Sequence, residues 1–253
     1  MKKCSALFTA LFLVLTSCSA QSENARPFKV DIRQVTAFSG PDFRGLLDSG
    51  THIDNLRLSP DKKKIAFTLW NKFNEAYNNL GVANIDGSDA KLLVKDGVDV
   101  FVWLNDSEII YRLCGKKYKD KLYAVNVKGI IRGHEENFDF SMQNEIPEIA
   151  RTRIKEFLKA RYKPHYGTLG GTAYYEVVNY AMSPDKSKIA FLIGGDDGHF
   201  AYWHPAWYVC SSSGRRITRI DPDDRQVSKY PVWLSASEFI YAKDARLWKA
   251  VIE

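Results

Sequence analysis

The sequence predicts an all-β fold, a small β-propeller of about four four-stranded blades with one inserted amphipathic helix. Two internal repeats and the spacing of their aromatic residues support this prediction. Segment 58–67 (LSPDKKKIAF) returns 124 residues later as segment 182–191 (MSPDKSKIAF), and segment 102–111 (VWLNDSEIIY) returns as segment 232–241 (VWLSASEFIY). Internal repetition of this kind is typical of propellers and other repeat folds.

The spacing of the repeats indicates the number of blades. The aromatic residue that closes the second strand of each repeat falls at positions 67, 111, 191 and 241, in steps of 44, 80 and 50 residues. The middle step holds either two blades or one blade with an insertion. Segment 144–162 favours the insertion, because its apolar residues recur near a helical period. We expect an insertion over about 141–166, with Asn144 as helix cap and Pro147 in the first turn. Five blades remain the alternative.

Local patterns predict the strands of each blade. In the first blade, alternating residues 53–58 lead through the turn Ser59-Pro60-Asp61 into a strand over 64–70. Strands near 80–85 and 91–94 complete it around Asp86-Gly87. The second and third blades repeat the plan. The last repeat has strands at 230–234, 238–242 and 247–252 but no fourth strand. We predict that the alternating segment Lys29–Phe38 supplies this strand, because propellers commonly close in this way. An incomplete or truncated propeller is the alternative.

The N-terminus has the pattern of a bacterial lipoprotein precursor. Lys2 and Lys3 precede an apolar run over 6–15, which is long enough for a signal peptide but too short to span a bilayer as a helix. Segment 15–18 (LTSC) resembles a bacterial lipobox, so we expect Cys18 to become the lipidated first residue. The expected organisation is a signal peptide over 1–17, a tether over 18–28 and a propeller domain over 29–253. Cleavage near Ala20, with loss of Cys18, is the alternative.

The blade motifs resemble a known family. The Ser-Pro-Asp turn before Lys-Ile-Ala-Phe, together with Ile85-Asp86-Gly87-Ser88, is similar to the repeat of TolB-type propellers and of the propeller domains of prolyl-oligopeptidase-like peptidases. The resemblance covers about residues 53–132 and 178–253. Two features depart from the family pattern: Lys62 and Lys186 stand where glycine is usual, and about four blades are expected where TolB-type propellers have six.

Charge and cysteine content narrow the possible partners. The formal net charge is +6, and about +4 remains without Lys2 and Lys3, which is too little to predict a nucleic-acid partner.

Cys114 and Cys210 lie in the predicted domain, and an exported compartment permits their pairing. Two separate thiols are the other possibility.

No catalytic motif and no metal or cofactor pattern is recognisable, so we expect neither a metal nor a cofactor. The best candidate for a binding site is the loop predicted over 194–205, since loops often carry function. Its candidate residues are His199, Tyr202, Trp203, His204 and Trp207. Alternatively, Trp203 and Trp207 pack between blades. The predicted helix has a basic face, which either faces solvent or contacts anionic lipid; its residues are Arg151, Arg153, Lys155, Lys159, Arg161 and Lys163.

These observations favour a lipoprotein anchored through Cys18 to a bacterial membrane, most simply the outer membrane on its periplasmic side. Its propeller would bind an envelope protein, a peptide or a glycan. The alternative is an enzyme: a truncated propeller part of a prolyl-oligopeptidase-like peptidase, or a propeller with its own chemistry. The sequence leaves the oligomeric state open.

Overall fold

The structure of the protein is a computed structural model that describes residues 26–35, 51–71, 78–95, 97–115, 121–135, 138, 140, 146–162, 165–166, 172–196, 202–221, 231–243 and 246–253. For residues 71, 165–166, 172–174, 196 and 202–205 only the backbone is described. The predicted helix cap Asn144 and the candidate binding residue His199 lie outside the described residues, as do Lys163, Cys18 and the whole segment 1–25.

The described strands form four antiparallel sheets, which are the four blades of a propeller-like, all-β fold. The elements, in chain order, are β1 Val30–Gln34; β2 Thr51–Leu58, β3 Lys64–Asn71, β4 Asn79–Asn84 and β5 Lys91–Val94 of blade 1; β6 Val98–Trp103, β7 Glu108–Leu113, β8 Leu122–Asn126 and β9 Ile131–His134 of blade 2; helix α1 Glu148–Arg161; β10 His165–Tyr166, β11 Thr172–Met182, β12 Lys188–Asp196, β13 Tyr202–Ser211 and β14 Thr218–Arg219 of blade 3; and β15 Val232–Trp233, β16 Glu238–Lys243 and β17 Arg246–Ile252 of blade 4.

The N-terminal strand completes the last blade, as the sequence predicts. β1 pairs antiparallel with β17, in a register that runs from Val30 opposite Ile252 to Gln34 opposite Trp248. Phe28, just before the strand, is buried in the core between blades 3 and 4. The strand therefore covers an edge that would otherwise expose unpaired backbone groups.

Buried apolar clusters join the blades in the order 2–1–4–3. One cluster contains Trp207 of blade 3 and Phe239 of blade 4, a second contains Ile240 of blade 4 and Ile53 of blade 1, and a third contains Ala66 of blade 1 and Ile109 of blade 2. The opposite face of blade 3 packs against α1. The inserted helix thus buries the sheet face of blade 3 that points away from blade 4.

Helix α1 confirms the predicted insertion and corrects its start. It begins at Glu148, with Pro147 at the N-cap position and no side-chain cap. Its buried residues are Ala150, Ile154 and Leu158. At one end the helix touches the β13–β14 turn so closely that a Cβ on Gly214 would lie 2.9 Å from the Ala150 Cα.

The predicted basic face of α1 splits into contacting and exposed residues. The Arg151 guanidinium lies 3.3 Å from the Glu148 carboxylate, and Arg153 Nη1 donates to the Ser213 carbonyl at 2.6 Å. Lys155, Lys159 and Arg161 are exposed.

The Ser-Pro-Asp segments form tight turns with matching hydrogen bonds. Ser59 Oγ donates to Asp61 Oδ1 at 2.6 Å, and the Lys64 amide donates to Ser59 Oγ at 3.0 Å. In the second copy the same bonds measure 2.7 and 2.9 Å. The hydrogen bond from the Ser183 hydroxyl is the largest of several effects that lower the pKa of Asp185 to about 2. The carboxylate is therefore an integral part of the turn.

Lys62 and Lys186 follow these turns with left-handed backbones, each at φ 60°. This conformation explains why glycine is usual at these positions in the resembling family, since an L-residue places its Cβ close to the backbone there.

The short turns of all four blades lie together on one side, which we call the turn face. It consists of the connections 59–63, 85–90, 104–107, 127–130, 183–187, 212–217 and 234–237. Hydrogen bonds link these turns between blades. The Asp61 amide donates to Asp106 Oδ1 at 2.8 Å, and Lys188 Nζ donates to the Ala236 carbonyl at 2.9 Å.

Two tryptophans link neighbouring blades in an equivalent way. Trp103 Nε1 donates to the Arg57 carbonyl at 3.0 Å, and Trp233 Nε1 donates to the Ala181 carbonyl at 2.9 Å. Each acceptor lies two residues before the serine of a Ser-Pro-Asp turn. The two repeat types seen in the sequence are therefore the donor and the acceptor of one interblade contact.

Replacing Trp103 or Trp233 with Phe should lower the free energy of unfolding by about 1–2 kcal/mol each, because a carbonyl between two blades loses its donor. Trp70→Phe is a matched control: Trp70 is half-buried and stacks on His52, with ring centres 5.4 Å apart. Urea unfolding followed by circular dichroism measures all three. Equal losses in the three variants would contradict a role for the interblade hydrogen bond.

Lys186→Gly should raise the free energy of unfolding by about 0.5–1 kcal/mol, since glycine adopts the left-handed backbone without a Cβ penalty. Lys186→Ala removes the same side chain beyond Cβ but keeps the penalty, so it should give no such gain. Urea midpoints compare the two variants, and a gain in the alanine variant equal to that of glycine would refute the backbone explanation.

Candidate functional site

The other ends of the same strands lie opposite the turn face. We call this side the loop face; among the described residues it consists of the strand ends Gln34, Thr51, Asn71, Asn79, Leu113, Leu122, Asp196, Tyr202, Lys243 and Arg246. The innermost strands of neighbouring blades are in contact, β11 with β15, β15 with β2, and β2 with β6. These strands therefore lie side by side in the order β11–β15–β2–β6.

Blade 3 extends furthest toward the loop face. The sequence predicts a loop over 194–205, and the structure corrects this: β12 continues to Asp196 and β13 begins at Tyr202, with the two residues paired. A register shift lies between Ile193 and Gly195. The pairing of the two strands continues past this irregularity, so the segment is a strand hairpin. The sequence pattern predicted a loop because Gly194 and Gly195 interrupt the strand pattern.

The predicted binding residues separate on this hairpin. Trp207 is fully buried and its ring meets that of Phe239 edge-on, with centres 5.5 Å apart. It therefore lies in the core, the alternative that the sequence left open. Tyr202, Trp203 and His204 lie on β13 at the loop-face end. Their role in binding remains a prediction.

A group of packed aromatic side chains lies next to this hairpin. The Tyr208 ring stacks on Phe191, with centres 5.6 Å apart, and its hydroxyl shares a hydrogen bond with the hydroxyl of Tyr162, just after α1. The centre of the Tyr162 ring also lies 4.4 Å from the centre of the Tyr175 ring on β11. Burial, and then the bond to Tyr208, raise the pKa of Tyr162 to about 12. This tyrosine is therefore a neutral support at physiological pH.

A buried ion pair joins blades 3 and 4 at the loop-face end. Lys243 Nζ lies 2.6 Å from Asp221 Oδ2, and the two side chains are 3% and 6% exposed. The Tyr241 hydroxyl donates to the same oxygen at 2.8 Å, and Lys243 Nζ lies 4.6 Å from the Trp248 ring centre. Removing either charge would leave the other buried without its partner, so the pair fixes how these blades meet. No sequence signal identified it, because Asp221 and Lys243 belong to neither repeat motif.

The loop-face end of blade 1 contains buried polar atoms with which no described residue forms a hydrogen bond. Thr51 Oγ1 and Asn79 Oδ1 are buried without a hydrogen-bond partner in the described part of the chain. His52 and Trp70 stack beside them. Unpaired buried polar atoms are uncommon, and this end of the blade has hydrogen-bonding capacity that its own strands do not use.

The described residues contain neither a metal-binding cluster nor a disulfide. Among them, no three His, Cys, Asp or Glu residues come together in a way that could hold a metal ion. Of the cysteines, the structure describes Cys114 and Cys210, which do not pair: Cys114 is exposed and Cys210 is buried, where desolvation raises the pKa of its thiol to about 12.

The fold and this site define the class of protein: an all-β, propeller-like protein with one inserted helix. No family model and no curated protein matches the chain. Within the described residues, no helix is both long and apolar enough to cross a membrane.

Several solved structures are weakly similar. One, assigned as a conserved lipoprotein from Clostridium novyi, has 13% identity, covers 73% of this chain and 98% of its own, and gives a TM-score of 0.29. A mannose phosphorylase from Leishmania mexicana has 10% identity, covers 89% of each chain and gives 0.37. Prolyl oligopeptidase B from Galerina marginata has 13% identity and gives 0.26; the match covers 76% of this chain and 22% of the peptidase. With TM-scores this low, the likenesses transfer no function.

Proposed function

We propose that this protein is a lipid-anchored binding module of the bacterial cell envelope. Cys18 carries the lipid, the following polar residues form a tether, and the loop face of the propeller binds an envelope protein, a peptide or a glycan. The outer membrane, on its periplasmic side, is the proposed location. The lipobox at residues 15–18 supports the anchor.

The observation that carries the proposal is the position at which the chain enters the fold. The amide and carbonyl of Lys29 pair with those of Glu253, so β1 begins beside the end of β17. The Ile252 amide in turn donates to the Ser237 carbonyl of the β15–β16 turn. The tether therefore enters at the turn face, and the loop face lies at the other end of the strands.

The length of the tether limits how the domain can be oriented on the membrane. From Cys18 to Arg26 the chain can span at most about 28 Å when fully extended. The longer strands of blade 1 have eight residues, which corresponds to about 27 Å. If the loop face lay against the membrane instead, the tether would have to run along the full length of the strands. This would use nearly all of its reach. The proposed anchor thus directs the loop face away from the bilayer.

Cys18→Ala should abolish incorporation of labelled palmitate into the protein and release it from the membrane fraction, because Cys18 is the cysteine of the lipobox. Cys4→Ala is the matched control within the same N-terminal segment and should keep both. Metabolic labelling followed by fractionation measures the outcome. Labelling that persists in the Cys18 variant would exclude the proposed anchor.

A photo-crosslinking residue placed at Glu176 should capture a partner in intact cells, since Glu176 is exposed on β11 opposite Gly194, toward the loop face. The same residue placed at Lys63, exposed on the turn face, should give no protein or glycan adduct. Mass spectrometry of the adducts identifies the partner. Capture from Lys63 alone, or from neither position, would contradict a binding role for the loop face.

A further inference from the structure

Basic residues concentrate on the turn face at the point where the tether enters. We call this group the tether-side patch. Its members come from separate parts of the chain: the residues before β1, helix α1, the β11–β12 turn with the first residue of β12, and the β13–β14 turn. They are Arg26, Arg153, Lys186, Lys188, Arg215 and Arg216.

Direct contacts place the N-terminal segment against the β13–β14 turn. Arg216 Nε donates to the Arg26 carbonyl at 2.8 Å, and its guanidinium carbon lies 3.8 Å from the centre of the Phe28 ring. Lys188 Nζ approaches the same ring to 6.0 Å. These two cations therefore lie next to Phe28, the residue at which the chain enters the core.

The remaining members are held to the same turns. The Ser212 amide donates to the Ser187 carbonyl at 2.8 Å, which sets the β13–β14 turn beside the turn that carries Lys186. Arg153 reaches the first of these turns through its bond to the Ser213 carbonyl. Lys186 and Arg215 are exposed to solvent. The six cations thus belong to one continuous surface.

Few carboxylates offset this charge. Asp185 contributes one negative charge among these turns, because the hydrogen bonds from Ser183 and from the Ser187 amide stabilise its ionised form. Glu253 is paired with Lys29 at 3.2 Å, outside the patch. Near the start of α1, Glu148 is paired with Arg151. The patch therefore keeps a clear positive excess.

We propose that the tether-side patch binds anionic phospholipid headgroups and holds the turn face against the bilayer. Lys and Arg near an anionic membrane are attracted over about a Debye length, roughly 10 Å, and each contributes to binding. The orientation rests on the proposed Cys18 anchor, whereas the affinity of the patch for lipid does not. A lipid chain combined with a basic surface gives a fixed orientation that a tether alone does not provide.

The test uses a chain that begins at Ser19, because every described strand and the helix lie after residue 25. It has no Cys18, so the result is independent of lipidation. Sedimentation measures binding to vesicles of phosphatidylcholine with a minor fraction of phosphatidylglycerol, and to vesicles of phosphatidylcholine alone. We expect salt-sensitive binding to the anionic vesicles only.

The double variant Lys186→Gln, Arg215→Gln should weaken binding about thirtyfold, from two lost membrane charges. The matched variant Lys155→Gln, Lys159→Gln removes the same charge from the exposed face of α1 and should bind as the parent does. Equal binding to both vesicle types, equal loss in the two variants, or loss in the helix variant alone would each overturn the proposal. Circular dichroism of each variant verifies that it is folded.

Discussion

The architecture depends on a hydrogen bond between blades that the chain makes twice. Trp103 and Trp233 each donate an indole N–H to a carbonyl beside a Ser-Pro-Asp turn of the neighbouring blade. An indole N–H buried between sheets needs an acceptor, and the open carbonyl near the turn needs a donor, so each repeat type supplies what the other lacks. The protein is accordingly built from two blade pairs, 1 with 2 and 3 with 4.

Different interactions connect and complete these pairs. Apolar packing joins blade 4 to blade 1, β1 completes blade 4, and α1 covers the free face of blade 3. At the loop-face end of blades 3 and 4, the buried pair of Asp221 and Lys243 fixes their relative position. The turn face is thus tied together by short hydrogen-bonded turns, while a buried ion pair holds the described loop-face ends of blades 3 and 4. This asymmetry is what links the fold to the proposed function.

Much of the fold could be predicted because the repeats encode it locally. The Ser-Pro-Asp turns, the helix around Ile154 and the alternating pattern of β1 follow from side-chain period and turn chemistry, which act over a few residues. The pairing of β1 with blade 4 follows instead from the way in which propellers commonly close. The candidate site was harder to predict from the sequence. Trp207 has the same aromatic character whether it is exposed or buried, and only the packing of Phe239 against it assigns it to the core. Tyr162 and Tyr208 lie 46 residues apart, and no local pattern connects them.

The sequence by itself determined the blades, their repeat types and the insertion, since these depend on periodicity and on turns whose partners are close in the chain. The tertiary structure alone decided which surfaces meet. It paired Asp221 with Lys243, left Cys114 and Cys210 apart, and gathered the cations of the tether-side patch from separate parts of the chain. Contacts of this kind depend on how whole sheets pack, and a one-dimensional pattern does not contain that information.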